Sequence, residues 1–295
     1  MRTDKTRISA WAGRWSDTEL ILGAPSPFGL TETGLQDYRG ARIRHAVLRS
    51  ISISDADFSG ADLRNIRIEN GELRNCIFEG ASLVEMITRE SNFNRCDFRR
   101  ADLRMAHIGY GGTDFTSCTF DGVKIARVGF LNAVFTDVNF SARDWKRTDF
   151  RASGFWNCSF RGLLEDVTFR GDYLLPSHRE ISGPPRKTGL HNVSFEGAEL
   201  HWVGFYNGCQ LENITLPADG SAFQCRVRDL VALYADYDEK AIGFDEFTRY
   251  LGIIRPNSSE QNEEIVSAHD LIKIGGTELG TMLYANLKSG TEQTH

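Results

Sequence analysis

Six cysteines are the first residues whose chemistry needs an explanation. None forms a CxxC pair, and five of them come two residues before a large apolar residue: Cys76, Cys96, Cys118, Cys158 and Cys209. A zinc site needs four ligands that converge tetrahedrally, which residues repeated along one side of a chain do not do. We therefore predict that these thiols are reduced, pack inward as small apolar side chains and bind no metal.

The other candidate chemistries also fail on spacing. The seven histidines include no HxH or HExxH pair, and residues 183–188, GPPRKT, lack the Gly before Lys that a phosphate-binding loop needs. Residues 236–247, DYDEKAIGFDEF, are similar to the end of an EF-hand but have Lys at a ligand position and no central Gly. For that segment we predict a helix-turn-helix without calcium. No catalytic residue and no cofactor is predicted, and we expect that the protein is not an enzyme.

The strongest pattern in the chain is a period of five. From Ile43 to Phe160, with one slip of two residues at Tyr110-Gly111-Gly112, every fifth residue is large and apolar in 23 of 24 cases. Two residues before most of these positions, the side chain is small or compact. Neither the helical period of 3.6 nor the strand period of 2 produces this pattern, so the chain must turn a corner every five residues.

Three of the five-residue units are Ala56-Asp57-Phe58-Ser59-Gly60, Ala61-Asp62-Leu63-Arg64-Asn65 and Ala101-Asp102-Leu103-Arg104-Met105. They resemble the signature of the pentapeptide-repeat family, A(D/N)LXX. The resemblance covers about residues 41 to 216. It implies an all-β solenoid, a right-handed quadrilateral β-helix with four pentapeptides in each coil.

Four pentapeptides in a coil place residues twenty apart on top of one another. When the slip is counted as a two-residue bulge, one such column contains six phenylalanines, for which we predict a continuous core ladder: Phe58, Phe78, Phe98, Phe120, Phe140 and Phe160. Proline is absent from Phe28 to Leu175. This absence is expected where nearly every backbone N–H bonds to the next coil.

The pattern divides the chain into three regions. Residues 1–40 are predicted to be an N-terminal cap, residues 41–216 the β-helix, and residues 217–295 a C-terminal α-helical region that caps the coil or forms a dimer. Within the coil, residues 171–190 have no period, and we expect them to form a loop that projects from the wall. Deleting residues 173–187 should then leave stability nearly unchanged. A C-terminal homodimer is expected by similarity to other family members.

Two residues depart from the repeat. Thr88 occupies a large apolar position, and Arg143 occupies a small one beside Trp145. One interpretation of both is local relaxation at a corner. The alternative is a surface patch for a partner, formed by Asp144, Lys146, Arg147 and the neighbouring Lys124 and Arg127, to which we add Trp156.

The resemblance also implies candidate functions. Some members, the quinolone-resistance proteins, bind DNA gyrase or topoisomerase IV as mimics of DNA and protect the enzyme from antibiotics, and loops that project from their coils matter for this protection. We therefore expect a protein partner, with a type II DNA topoisomerase as one candidate, and no direct binding of nucleic acid. The candidate partner-binding loop contains Tyr173, His178, Arg179, Glu180, Arg186 and Lys187.

The charge distribution favours the alternative function, a rigid protein-interaction scaffold with an unrelated partner. Residues 41–216 contain 22 acidic and 22 basic residues, whereas residues 217–295 contain 13 and 7. A DNA mimic should present acidic faces to a basic groove, and this coil is neutral. Exposed aromatic residues such as Trp156, Trp202 and Tyr206 could then contact the partner.

Composition indicates the class and location of the protein. With 41% hydrophobic and 25% charged residues, it is typical of a globular protein. The first fifteen residues lack an apolar segment, and nowhere do 18 apolar residues follow one another, so neither a signal peptide nor a membrane span is expected. The predicted location is the cytoplasm.

Overall fold

The computed structural model describes residues 25–226, 228, 229, 232 and 263–292 of the chain. From residue 36 to residue 216 the backbone forms a β-solenoid of about nine coils with pentapeptide repeats, as predicted. The EF-hand-like segment 236–247 and most of the predicted N-terminal cap lie outside the described residues.

Short parallel strands, together with isolated bridges, lie on the sides of the coils and form the wall of the solenoid. In its first half they are β1 (Gln36–Asp37), β2 (Val47–Arg49), β3 (Ser52–Asp57), β4 (Arg67–Glu69), β5 (Glu72–Ile77), β6 (Ile87–Asn94), β7 (His107–Thr116), β8 (Thr119–Asp121), β9 (Gly129–Leu131) and β10 (Ala133–Thr136). In its second half they are β11 (Asn139–Lys146), β12 (Asp149–Arg151), β13 (Gly154–Trp156), β14 (Ser159–Glu165), β15 (Thr168–Arg170), β16 (Gly189–His191), β17 (Ser194–His201), β18 (Gly204–Tyr206) and β19 (Leu211–Glu212). Each pairs in parallel with the strand one coil away.

The corners between strands explain how a chain of L-residues turns so often. At most corners the residue two positions after the large apolar residue adopts a left-handed conformation, as at Asn65 (φ 59°), Asn70 (φ 52°) and Asn75 (φ 52°). Asn tolerates this region better than most residues. The corner N–H groups bond to the next coil, with Asn65 N donating to Val84 O at 2.9 Å. The backbone donor is therefore satisfied at the turn.

The large apolar residues point inward and stack in columns. The six predicted phenylalanines stack with ring centroids 4.7–5.4 Å apart, and Tyr38 and Phe195 extend this column at its two ends. The spacing is close to the distance between paired strands. The interior next to Leu48, Phe58 and Phe93 leaves a void of only about 10 Å³, too small for more than one water.

Two irregularities interrupt the repeat. The slip at residues 110–112 is a bulge in β7, since Phe93 pairs with Phe115, two residues later than a regular coil requires. A later coil is one residue shorter than the regular twenty, so that Leu164 pairs with Trp145 and takes the place of a large apolar residue in that column. The columns therefore continue unbroken through both places.

The predicted boundaries need two corrections. The coil begins before residue 41, because β1 pairs with β3 and the Tyr38 ring stacks on Phe58 at 5.0 Å. At the C-terminus the first described element is not a helix. Strand β20 (Ala222–Arg226) pairs antiparallel with β21 (Glu263–Ser267), and the helix α2 (Ala268–Glu292) follows, with a kink at Gly276. No helix among the described residues is long and apolar enough to cross a membrane.

Candidate functional site

The bulge in β7 forms part of the surface, here called the floor, on which residues 171–188 pack. The Gly109 N–H donates to Thr88 Oγ1 at 3.0 Å, and Thr88 Oγ1 lies 3.1 Å from Thr113 Oγ1. Both threonines are fully buried. The sequence analysis explained Thr88 by local relaxation at a corner. In the structure, the Thr88 hydroxyl is instead the polar group that holds the bulge in place.

Residues 171–188, called the insertion, pack against this floor instead of projecting from the wall. The Tyr173 ring is buried against Leu131 and Ala152, next to Tyr110. Its hydroxyl donates to Gly183 O at 3.1 Å, and burial raises the pKa of Tyr173 to about 12. The insertion therefore lies on the wall and does not project from it as predicted. This packing is favourable because it removes the Tyr173 ring and the apolar residues beneath it from water together.

Asn132, a buried corner residue of the coil, fastens the other end of the insertion. Its Nδ2 donates to Ser182 O at 3.1 Å and to Pro184 O at 3.3 Å, while its Oδ1 accepts from Arg186 N at 3.2 Å. Three backbone groups of the insertion are thus satisfied by one side chain of the wall.

An ion pair lies beside this contact. Arg186 Nη2 lies 2.7 Å from Asp114 Oδ1, and the guanidinium crosses directly over Gly112, where a Cβ would overlap it. Because both charged groups are more than a third exposed, this pair contributes less to stability than the buried contacts of Tyr173 and Asn132.

The outer surface of the insertion exposes three large apolar side chains. It contains the short helix α1 (Pro176–Ser182), which begins with proline, a residue favoured in the first helical turn. Three side chains face solvent here and form what we call the apolar ridge: Leu174 (49% exposed), Leu175 (54%) and Ile181 (52%). The sequence analysis missed these residues, although two leucines before a proline in a segment without a repeat could have indicated them.

The six residues predicted for the loop have separate roles. Tyr173 and Arg186 anchor the insertion, and Arg179 forms an ion pair with Asp172. Lys187 Nζ lies 5.7 Å from the centre of the Trp156 ring. The remaining two also differ, since Glu180 is exposed, whereas the half-buried His178 packs edge-on against Tyr173 with 6.4 Å between ring centroids.

Comparisons with known proteins agree with this architecture. Residues 39–70 and 76–108 match the family of pentapeptide repeats, with eight copies. The coil of this chain is therefore built from pentapeptide repeats. A search of the curated proteins found no match.

Solved structures of the same kind include HetL, a pentapeptide repeat protein involved in heterocyst differentiation regulation from the cyanobacterium Nostoc sp. strain PCC 7120. It is 18% identical over 60% of this chain and 84% of that one, with a TM-score of 0.34. A trypsin-treated variant of QnrB1, a plasmid-mediated fluoroquinolone resistance protein, is 18% identical over 62% and 88%, with a TM-score of 0.32. Rfr23 from the cyanobacterium Cyanothece 51142 is 12% identical over 59% and 90%, with a TM-score of 0.15. These likenesses concern the fold.

On the outer wall of the coil, several acidic side chains are paired with arginines. The recurring arrangement is an Asp and an Arg on either side of one inward residue, with N···O distances of 2.5–2.8 Å: Asp62–Arg64, Asp97–Arg99, Asp102–Arg104 and Asp149–Arg151. Neighbouring coils are also linked, as by Arg49 and Glu69 at 2.8 Å. The A(D/N)LXX motif with Arg at its fourth position therefore yields a charge-compensated wall.

The candidate surface patch is divided by the fold. Lys124, Arg127, Lys146 and Arg147 lie on one side of the coil, in consecutive coils. Trp156 belongs to β13, two sides further round, and stacks on His191 with ring centroids 4.6 Å apart. Lys146 is also paired with Glu165 at 2.7 Å. The fold thus groups four of these residues and separates the fifth.

The cysteines occupy the interior. All six are buried, and the thiol of Cys158 donates to Trp156 O at 3.3 Å, while burial raises its pKa to about 12. Among the described residues, no group of three or more His, Cys, Asp and Glu side chains could hold a metal ion.

Proposed function

We propose that this pentapeptide-repeat protein is a non-enzymatic binding protein that recognises another protein through the insertion. The observation that carries the proposal is the apolar ridge of Leu174, Leu175 and Ile181, which is exposed on a segment fixed to the coil by buried contacts. An ordered ridge loses little conformational freedom when it binds, which favours affinity.

The shape of the ridge indicates the kind of partner. A short helix that lies on the wall and exposes an apolar side chain on its outer face fits an apolar groove on another protein, as in the helix-in-groove mode of recognition. Polar groups surround the ridge, among them Glu180 and the Asp172–Arg179 ion pair. An apolar centre with a polar rim is the usual anatomy of a protein interface.

A type II DNA topoisomerase is the named candidate for this partner, as the family resemblance implies. In this proposal its contact would be made by the ridge and not by mimicry of DNA, because the coil carries as many basic as acidic residues and a recurring set of its carboxylates is paired with arginines. The alternative is an unrelated protein that contacts the same ridge.

The test compares the wild-type protein with the double variant Leu175→Ser/Ile181→Ser. The matched control is Val47→Ser, which removes an equally exposed apolar side chain from the coil wall. In a gyrase supercoiling assay with and without a fluoroquinolone, inhibition or rescue by the wild-type and control proteins, lost in the double variant, supports the topoisomerase. An effect that the double variant retains overturns the role of the ridge.

If gyrase is unaffected, a photo-crosslinking amino acid at position 181 identifies the partner in a cell lysate. The captured protein is then purified and its Kd is measured for the three proteins. An increase of at least tenfold in Kd for the double variant alone supports an unrelated partner. Equal Kd values, ridge-dependent binding to lipid vesicles or no crosslinked protein would contradict the proposal.

We also propose a homodimer that forms through the C-terminal region. Sedimentation of the purified wild-type protein tests it.

A further inference from the structure

Strands β20 and β21 and helix α2, together called the lid, cover the end of the coil. Ala222 and Ile265 belong to the same apolar core as the coil interior. Several ionisable groups lie at this junction, which is unusual because a lid could be seated by apolar contacts alone. The proposed function does not depend on this region.

One of these groups replaces a missing coil. At corners in earlier coils the backbone N–H donates to a carbonyl of the next coil along the chain, as Asp166 N does to His201 O at 3.0 Å. Trp202 occupies the corresponding corner of the following coil, and its N–H donates at 2.9 Å to the Asp270 carboxylate at the start of α2. The lid thus satisfies a backbone donor that the end of the solenoid would leave unpaired.

Glu264 lies in the lid with only 3% of its surface exposed. Its Oε1 accepts from Ile265 N at 3.2 Å, while Oε2 has no hydrogen-bond partner in the described structure. The titratable groups that act on it, or on which it acts, are Cys209, Cys225 and Tyr206, all neutral near pH 7. Burial raises the pKa of Glu264 to about 8.

No cation among the described residues forms an ion pair with Glu264. An ionised carboxylate at this position would place a charge without a cation in a largely apolar junction, where only the backbone N–H groups of Ile265 and Phe205 oppose the effect of burial. Such a charge is strongly unfavourable. The protonated form has no such cost. Seating the lid and holding the proton are therefore coupled.

A pair of stacked histidines lies at the other side of the lid. The rings of His201, on the coil, and His269, on α2, have centroids 3.5 Å apart, and His269 Nδ1 lies 3.1 Å from Asp270 Oδ1. Burial, followed by the charge of His269, lowers the pKa of His201, while Asp270, Glu199 and Glu165 oppose this effect. Lys146 is paired with Glu165.

This stack limits the behaviour of the lid in acid. One proton on the pair is compatible with the neighbouring carboxylates, but two would place like charges in contact. An undocked His201 takes up a proton more readily than the docked one. Docking therefore weakens as the pH falls below the ordinary histidine range, about 6.5, and the effect of Glu264 is seen most clearly above that value.

We propose that the lid is controlled by a proton, being seated on the last coil while Glu264 is protonated and lifting when Glu264 ionises. Glu264 of the lifted lid has the ordinary carboxyl pKa, so the lifted state releases its proton at lower pH than the seated state. The equilibrium constant for lifting then increases about tenfold per pH unit above pH 6.5 and becomes constant above about pH 8. Lifting frees the Trp202 N–H and its neighbours, which could then pair with another strand.

Hydrogen exchange of the backbone amides of residues 199–206 tests this proposal from pH 6.5 to 9. Rates are corrected for the intrinsic dependence of exchange on pH and compared with residues 93–104 inside the coil. We expect the opening equilibrium constant of residues 199–206 to increase with pH as predicted for lifting. The opening equilibrium constant of residues 93–104 should not change with pH. Opening that does not change with pH would overturn the proposal.

The decisive variant is Glu264→Gln, which keeps the shape of the side chain without its charge. Its opening should be independent of pH above 6.5, and a retained rise would overturn the proposal. Glu263→Gln is the matched control, since Glu263 is the adjacent, more exposed residue of β21, and it should behave as the wild type. Should Glu264→Gln fail to fold, carbon-13 NMR of glutamate carboxyls in the wild-type protein gives the answer. One carboxyl must titrate near pH 8, and titration of all of them below pH 6 would refute the mechanism.

Discussion

Asn132 Oδ1 accepts a hydrogen bond from the Arg186 N–H at 3.2 Å, although the two residues are 54 positions apart in the chain. Asn132 belongs to a corner of the coil and Arg186 to the insertion. The contact converts a segment without a repeat into a fixed part of the wall. The apolar ridge therefore has a defined position relative to the coil, and its attachment can be tested separately from its binding.

Replacing Asn132 with Gly should loosen the insertion. The variant removes the three hydrogen bonds of the side chain, and Gly accepts the left-handed corner (φ 59°) without strain. We expect the free energy of unfolding to fall by about 2–3 kcal/mol, because buried backbone groups lose their partners.

Asn157→Gly is the matched control for this experiment. It removes an Asn from another left-handed corner (φ 53°) whose side chain is exposed, and it should cost less than about 1 kcal/mol. Urea unfolding measures both variants, and hydrogen exchange of residues 176–186 shows whether the insertion has loosened. Equal losses in the two variants would mean that Asn132 does not fasten the insertion.

Deleting residues 173–187 should destabilise the protein, contrary to the expectation from sequence. The deletion exposes Leu131 and Ala152 and removes the buried Tyr173 ring. Loss of an aromatic residue from a packed site typically costs about 3–5 kcal/mol, which shifts the urea midpoint clearly. A midpoint within error of the wild type would show that the insertion is not part of the folded wall.

Two buried threonines should respond in opposite directions to the same substitution. Thr88→Val leaves the Gly109 N–H and the Thr113 hydroxyl without their partner, so we expect a loss of about 1–3 kcal/mol despite the more apolar side chain. Thr148 is equally buried, but its hydroxyl has no partner in the described structure. Thr148→Val should therefore be neutral or stabilising.

Thermal and urea unfolding of the two threonine variants provide the measurement. The pair serves as its own control, since the chemical change and the burial are the same. If both valines stabilise the protein, the Thr88 hydroxyl has no role in holding the bulge.

Repetition explains which parts of the fold could be predicted from sequence. The Phe58 to Phe160 ladder was predictable because each coil repeats the same local rule, and a rule repeated many times is visible in one sequence. Tyr38 fits the period five residues before Ile43, but it was assigned to the N-terminal cap. Phe195 was not included in the ladder because the insertion separates it from Phe160. The single-residue slip at Leu164 was hidden in the same way.

The site was less predictable for a physical reason. Contacts such as Asn132 to Ser182 join one coil corner to a distant segment, and no periodic pattern encodes a pairing that occurs once. The outward apolar residues Leu174 and Ile181 likewise carry no period. At the C-terminus, β20 was mistaken for the start of a helix because five residues are too few to distinguish the two patterns.

Acid should weaken the coil through Asp62. The guanidinium of Arg64, and to a lesser extent that of Arg44, hold the pKa of Asp62 below its ordinary value. A carboxyl whose pKa is lower in the folded state contributes stability above the pKa of the unfolded chain, about 3.9, and loses it as the pH falls further. The free energy of unfolding of the wild type should therefore decline between about pH 4 and pH 2.

Asp62→Asn should remove part of this decline, because the amide does not titrate. At pH 6 the variant should be less stable than the wild type, and the difference should shrink as the pH approaches 2. Asp137→Asn is the matched control, since Asp137 is an exposed carboxylate whose described partner is the neutral Asn157 amide at 3.0 Å. Urea unfolding at several pH values measures all three proteins. A difference between wild type and Asp62→Asn that stays constant from pH 6 to pH 2 would show that the arginines do not act on the Asp62 charge, since only a titrating interaction weakens with protonation.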